Sequence, residues 1–235
     1  MTEVIEGEAA DLLLLCDHAS NHVPEDIDLG IALDLLDLHI AVDIGAAPLT
    51  RALAKRLDAP AILGGVSRLV LDLHREPDHP NLIPKASDGY AIPGNIEIQF
   101  EERFARFHIP YHATIEDRIA RHRPDLILSI HSFTPQLEQG GTPRPWHVGI
   151  LYNEDESAAR PAIDWLRARG LPTGDNEPYS GKLLNATLNR HAEAANIPSI
   201  AIEIRNDLIR DEAGVQRWTD ILAQLADHLR NHLAR

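Results

Sequence analysis

Cysteine is almost missing from this chain. Of 235 residues only Cys16 is one, so no internal disulfide can form. Its place at the end of the apolar run Leu12 to Leu15 reads as a buried thiol rather than a nucleophile. Long hydrophobic runs are missing too: no apolar stretch approaches the ~18 residues that span a bilayer. The first residues lack the basic, then apolar, then small-residue order of an export signal. A cytoplasmic protein without a membrane partner is therefore expected. Clustered positive charge is also absent. Lysine and arginine total 22 against 36 acidic residues, for a net charge of -14, and they are interspersed, which disfavours a phosphate backbone as ligand. No internal repeat, low-complexity tract or linker divides residues 1–235, so one domain is expected, long enough to bury a core.

What is present is an alternation. Short apolar runs at Leu12 to Cys16, Ala61 to Leu63, Leu69 to Leu73, Leu126 to Ile130, Val148 to Tyr152 and Ser199 to Ile204 read as buried strands. Between them lie helical patterns. Asp43 to Leu57 carries Leu49, Leu53 and Leu57 on one face, and Gln216 to Leu233 carries Trp218, Leu222, Leu225 and Leu229. Glu97 to His122 reads as a long helix broken at Ile109-Pro110, and Glu156 to Arg169 as a helix with Pro161 in its first turn. The expected fold is α/β, with a mostly parallel or mixed central sheet and helices on both faces. Such a sheet places its site at the carboxyl ends of the strands. Two long Pro- and Gly-containing loops, Glu76 to Asn95 and Phe133 to Trp146, each follow an apolar run that ends in His, where long loops are more often functional than idle.

Three apolar runs end in polar groups: Cys16-Asp17-His18, Ser129-Ile130-His131-Ser132 and Ile202-Glu203-Ile204-Arg205. A parallel sheet gathers such ends on one rim. Two imidazoles and carboxylates suit a catalytic zinc, which takes three protein ligands and leaves one position open. Asp43, at the start of a helical pattern, is the candidate third ligand, with an equal claim to be a helix N-cap. Glu203, a charge inside an apolar strand, requires a donor or cation nearby. Arg68 and Arg75 bracket Leu69 to Leu73 and could clamp a substrate carboxylate with paired hydrogen bonds. Arg190 could do the same, although a surface ion pair is the stronger reading there.

These residues resemble the N-formylglutamate amidohydrolase family over nearly the whole chain. The likeness is carried by Asp17-His18-Ala19-Ser20-Asn21 with Pro24, Val42-Asp43-Ile44-Gly45-Ala46, Ser67-Arg68 with Asp72-Leu73-His74-Arg75, Ile130-His131-Ser132 and Ile202-Glu203-Ile204. The resemblance implies a zinc-exopeptidase-like (phosphorylase/hydrolase-like) fold and hydrolysis of N-formyl-L-glutamate or a similar small acidic N-acyl amino acid. It implies one zinc ion, or another divalent metal, on His18, Asp43 and His131. Glu203 would then be base and acid, and Arg68, Arg75, Arg190 and Ser132 would contact substrate. Zinc muramoyl-amidases and aspartoacylase-like enzymes are similar in the order His, carboxylate, His, Glu. The latter use a His-x-x-Glu pair where this chain has Asn21, which favours Asp43 and leaves Asn21 and His22 as alternative ligands. The chain departs from the family at His74, where Asn is usual, and over 176–181. Two rival readings remain, a muramoyl-type cell-wall amidase and a non-catalytic metal-dependent binding protein on the same fold.

Overall fold

A computed structural model of the chain describes residues 2–98 and 100–234. Its centre is a seven-stranded mixed sheet in the order β1-β3-β2-β6-β9-β7-β8, built from β1 (Glu3–Ile5), β2 (Leu12–Cys16), β3 (Ala61–Leu63), β6 (Leu126–Phe133), β7 (Val148–Leu151), β8 (Thr173–Asp175) and β9 (Ser199–Arg205). Strands β2, β6 and β9 are adjacent and parallel, so their carboxyl ends share one rim. Strand β7 runs antiparallel to β9, and β1 runs antiparallel to β3. A separate two-stranded hairpin, β4 (Ala86–Ser87) and β5 (Tyr90–Ala91), stands within the first long loop.

Because side chains alternate across a strand, each central strand feeds two cores. Leu12, Leu14, Leu126, Leu128, Ile130, Ile200, Ile202 and Ile204 pack on one face against α1 (Ala46–Leu57), α4 (Ala159–Arg167) and α6 (Glu212–Leu233). Leu13, Leu15, Ile127 and Ala201 pack on the other. There they meet Tyr111 and Ile115 of α3 (Ile109–Arg121) and Leu188 of α5 (Ala186–His191). Helices therefore cover both faces, as the alternation of elements implied. Among the described residues no helix is long and apolar enough to cross a membrane.

Three expected elements differ. Leu69 to Leu73 is buried but forms turns, not a strand. Its carbonyls are taken by side chains instead of a ladder: Asn95 Nδ2 donates to Leu69 O at 2.7 Å, Arg103 Nη1 to Val70 O at 3.1 Å and His112 Nε2 to Leu73 O at 3.1 Å. Burial alone cannot distinguish the two solutions, since both satisfy the backbone. The helix expected over 97–122 is found from Phe100 to Arg121 and does not break at Pro110. From α2 (Phe100–Arg103) it passes through a π-helical turn, Phe104–His108, directly into α3. The Ile109 N–H reaches Phe104 O, and this wider turn lets the helix run on through a residue that lacks a donor. Helix α1 starts at Ala46 rather than Asp43, capped by Gly45 at φ 82°. A Cβ at Gly45 would stand 2.3 Å from Ile209 O, so glycine is required by both backbone angle and space.

Candidate metal and active centre

Strand register sets the first pair of groups. His131 of β6 lies directly opposite Glu203 of β9, so both side chains leave the same face of the sheet. His18 follows β2 by two residues, and the segment carrying Asp43 is tied to it where the Asp43 N–H donates to His18 O at 3.1 Å. Freed from capping, the Asp43 carboxylate turns inward. Its Oδ2 lies 2.9 Å from His131 Nδ1 and 3.4 Å from His18 Nδ1, and accepts from the Ser132 N–H at 3.3 Å. Its Oδ1 accepts from Arg68 Nη1 at 3.2 Å.

The far nitrogen of each imidazole is held by another buried carboxylate. His18 Nε2 donates to Asp72 Oδ1 at 2.6 Å, and His131 Nε2 lies 3.1 Å from Asp17 Oδ2. These partners assign the proton to Nε2 and leave the Nδ1 lone pairs facing the Asp43 oxygen, the arrangement by which outer carboxylates orient histidine ligands. Two lone pairs aimed at a carboxylate repel one another unless a proton or a cation lies among them. Electrostatics point the same way. Burial and Arg68 oppose charge on His18, yet Asp72 and Asp43 outweigh them and raise its pKa. His131 is raised well above the ordinary range despite burial, through Asp17 and Asp43. Burial likewise works against the Asp43 charge, but His18 and His131 hold its carboxyl far below the usual carboxylate range.

Distances fit a metal. Two ligands about 2.0–2.1 Å from a tetrahedral zinc stand roughly 3.4 Å apart, close to the 3.4 Å and 2.9 Å found here. A second cluster, Asp17, His74 and His131, also has ligand atoms within 4.8 Å of one another. It suits a cation less well. The Asp17 carboxylate is fully buried and already accepts from Tyr111 Oη at 3.0 Å and Thr187 Oγ1 at 2.7 Å, with His74 Nδ1 at 3.1 Å. Asp17 is thus the hub that fixes His131 and His74. Asp72 plays that part for His18 and also binds Arg68 Nη2 at 2.9 Å.

His18, Asp43, His131 and Glu203 border one cavity of about 260 Å³. Glu203 Oε2 is buried and has no hydrogen-bond partner among the described residues. Burial pushes the Glu203 pKa up to about 7, with Asp43 adding to the rise and His131 opposing it. A carboxylate poised at that level and bordering a cleft has the properties of a proton-transfer group. The roof is formed where the two long loops clasp each other. Asp88 at the hairpin turn accepts from the Glu138 N–H at 2.9 Å and faces His39 Nε2 at 3.1 Å.

Of the residues singled out in the sequence, Arg68, Arg75 and Ser132 also border the cavity. The Ser132 hydroxyl is committed to Ile44 O at 2.9 Å. Arg190 is a correction: it pairs with Glu116 at 2.9 Å on the surface and lies outside the cavity, because α5 turns that side chain away from the rim. Asn21 and His22 are exposed, with Asn21 donating to Asp37, and neither borders the cavity. Sequence reasoning assigned no role to Asp17 or Asp72, although each stands at the end of an apolar run, as His131 does.

A family model described as N-formylglutamate amidohydrolase matches residues 10–210. A gene product of Agrobacterium tumefaciens is similar in structure, with TM-score 0.92 and 31% identity over 100% of this chain and 96% of that one. An N-formylglutamate amidohydrolase from Ralstonia eutropha shares the fold with TM-score 0.70 and 20% identity over 98% and 96% of the two chains. A bacteriophage poly-gamma-glutamate hydrolase is a more distant likeness, with TM-score 0.50 and 9% identity over 98% and 89%. No curated protein matches the chain.

Proposed function

The chain belongs to the N-formylglutamate amidohydrolase family, and on that footing we propose that it is a cytoplasmic, zinc-dependent hydrolase of the N-acyl amide of a small amino acid. The observation that supports this reading above the others is the convergence of His18 Nδ1, Asp43 Oδ2 and His131 Nδ1 beside the unpartnered Oε2 of Glu203. A pure binding protein has no need of such a base.

His18, Asp43 and His131 would hold the ion, with Asp72 and Asp17 keeping the two rings in place. Zinc bound there supplies a Lewis acid that polarises the amide carbonyl and brings the pKa of water towards roughly 7. Glu203 takes the proton from the attacking water at Oε2 and returns it to the leaving nitrogen, which departs as the free amine. Arg68 holds Asp43 and Asp72 as one anionic unit, and the clasped loops restrict water around the acyl group. Ser132 fixes the Asp43 carboxylate through its backbone N–H.

Metal content and hydrolysis of a panel of N-acyl amino acids, measured on wild type and on His131→Ala purified without chelator, test the reading. Near-stoichiometric zinc in the wild type, lost in the variant together with release of formate or another acid, is the expected result. Wild-type protein that takes up no metal when zinc is supplied would sink it.

A further inference from the structure

The reacting groups occupy one side of the cavity, and the remaining wall is uneven in charge. Arg68 is spent within the site: Nη1 donates to Asp43 at 3.2 Å and Nη2 to Asp72 at 2.9 Å. Turning it towards a ligand would strip two buried carboxylates of their shared cation, which is strongly unfavourable. Arg75 is different. Only its Nε approaches a carboxylate, Asp72 at 3.4 Å, and without hydrogen-bond geometry. Its terminal nitrogens make no hydrogen bond or ion pair among the described residues, while its side chain, 17% exposed, borders the cavity. Another basic group on the wall, His39, faces Asp88. The rest of the wall combines the apolar Phe133, Leu137, Leu151, Leu184 and the ring of Tyr179 with the uncharged Ser87 and Thr134 and with His74, which faces Asp17.

From this division we infer that the substrate is an N-acyl amino acid with a single carboxylate, bound by Arg75, and a neutral apolar side chain seated against Leu137, Leu151 and Leu184. The inference rests on the proposed amide hydrolysis and narrows it, replacing the acidic amino acid that the family resemblance implies. One free guanidinium can grip one carboxylate with two parallel hydrogen bonds. A second carboxylate would have to shed water against leucine side chains with no uncommitted cation to receive it. An apolar side chain meets no such penalty and gains from leaving water. The cavity volume of about 260 Å³ lies just under the usual range for ligand pockets, in keeping with a substrate of amino-acid size.

The test is calorimetric titration of the zinc-loaded protein carrying Glu203→Gln, which binds without turning over, with N-formyl-L-leucine, N-formyl-L-glutamate and N-formyl-L-leucinamide. The leucine derivative is expected to bind at least about tenfold more tightly than the glutamate derivative, within the range hydrophobic pockets discriminate. Adding Arg75→Gln should weaken the leucine derivative about tenfold or more and leave the uncharged leucinamide within twofold. Leu184→Arg, on the apolar side, should shift the preference towards glutamate. Equal or tighter binding of N-formyl-L-glutamate, equal loss of acid and amide on Arg75→Gln, or binding of neither acid overturns the inference. Hydrolysis by the wild type separates the two levels. If N-formyl-L-glutamate is cut in preference, the amide hydrolysis stands and the side-chain assignment falls; if no N-acyl amino acid is cut, the function itself falls.

Discussion

Asp72→Asn removes one negative charge from the site while keeping nearly the same shape, and the structure fixes what that should do. Asp72 uses both oxygens: Oδ1 accepts from His18 Nε2 at 2.6 Å and Oδ2 from Arg68 Nη2 at 2.9 Å. An amide has one acceptor and one donor end, so whichever way it turns, an N–H group faces another donor. If the amide nitrogen faces His18, the ring loses the acceptor that keeps its proton on Nε2 and its Nδ1 turned to the metal position. If it faces Arg68, the guanidinium that also holds Asp43 is released. Loss of an outer carboxylate of this kind costs about 10- to 100-fold in metal affinity, equivalent to ~1.4–2.7 kcal/mol. The loss of hydrogen bonds to charged groups adds roughly 2 kcal/mol of destabilisation to the metal-free fold. Competition for zinc against a chelator of known affinity reads the first quantity, and thermal unfolding of the metal-free protein reads the second. A folded Asp72→Asn protein that binds zinc within twofold of wild type would refute the claim that Asp72 orients His18 as a ligand.

Glu203→Gln should retain stoichiometric zinc yet lower kcat by about two orders of magnitude or more; metal analysis and steady-state kinetics on one preparation separate the two effects, and loss of zinc would instead make Glu203 a ligand. Gly45→Ala forces a side chain into left-handed backbone and against Ile209 O, costing about 3 kcal/mol and lowering Tm by roughly 10 °C; an unchanged Tm would show that the α1 cap relaxes freely. Acid should destabilise the fold through two buried histidines. Burial depresses the His112 pKa to about 3 and that of His191 to about 4, and the two rings share a hydrogen bond of 2.7 Å. Since both folded values lie below the unfolded value near 6.5, stability is complete above pH 6.5 and falls as pH drops, because the unfolded chain binds protons that the folded one refuses. At pH 5 the loss is about 2 kcal/mol for each histidine. Urea unfolding between pH 7 and 5 measures it, and His191→Gln, which keeps a donor but cannot titrate, should remove about half the slope.

The sequence exposed the strand-borne part of the centre because strands impose a simple rule: an apolar run that stops in a polar group delivers that group to the rim. His18, His131 and Glu203 obey it, and the β6–β9 register then makes two of them neighbours. Asp43 was legible only as a residue with two competing roles. What decided between them was Gly45, whose φ of 82° moves the helix start past Asp43 and releases its carboxylate. That glycine was quoted within a motif, but the space that excludes a side chain there is taken by Ile209, 164 positions further on, so no local pattern could reveal it. The same limit applies to Leu69 to Leu73. Its composition suits a strand, yet the donors that satisfy its carbonyls come from Asn95, Arg103 and His112, all distant in sequence.

The arginines show why residue type is a weaker guide than commitment. Arg68, Arg75 and Arg190 each carry a guanidinium able to grip a carboxylate, and sequence position favoured the first two over Arg190. The fold sorts them by what each already holds: Arg190 has a surface glutamate, Arg68 has two site carboxylates, and Arg75 has terminal nitrogens to spare. Charge arithmetic at the centre makes that sorting consequential. Asp17, Asp43 and Asp72 are all buried, and Arg68 pairs with only two of them, Asp43 and Asp72, which is the charge balance that the proposed divalent ion would complete. Among the described residues Arg75 is the arginine on the wall whose terminal nitrogens hold no partner, only its Nε lying 3.4 Å from Asp72. On the proposed reading the substrate carboxylate is held by a side chain that the metal ligands leave over, and Arg75→Gln should raise KM for N-acyl amino acids more than it lowers kcat, which steady-state kinetics would measure.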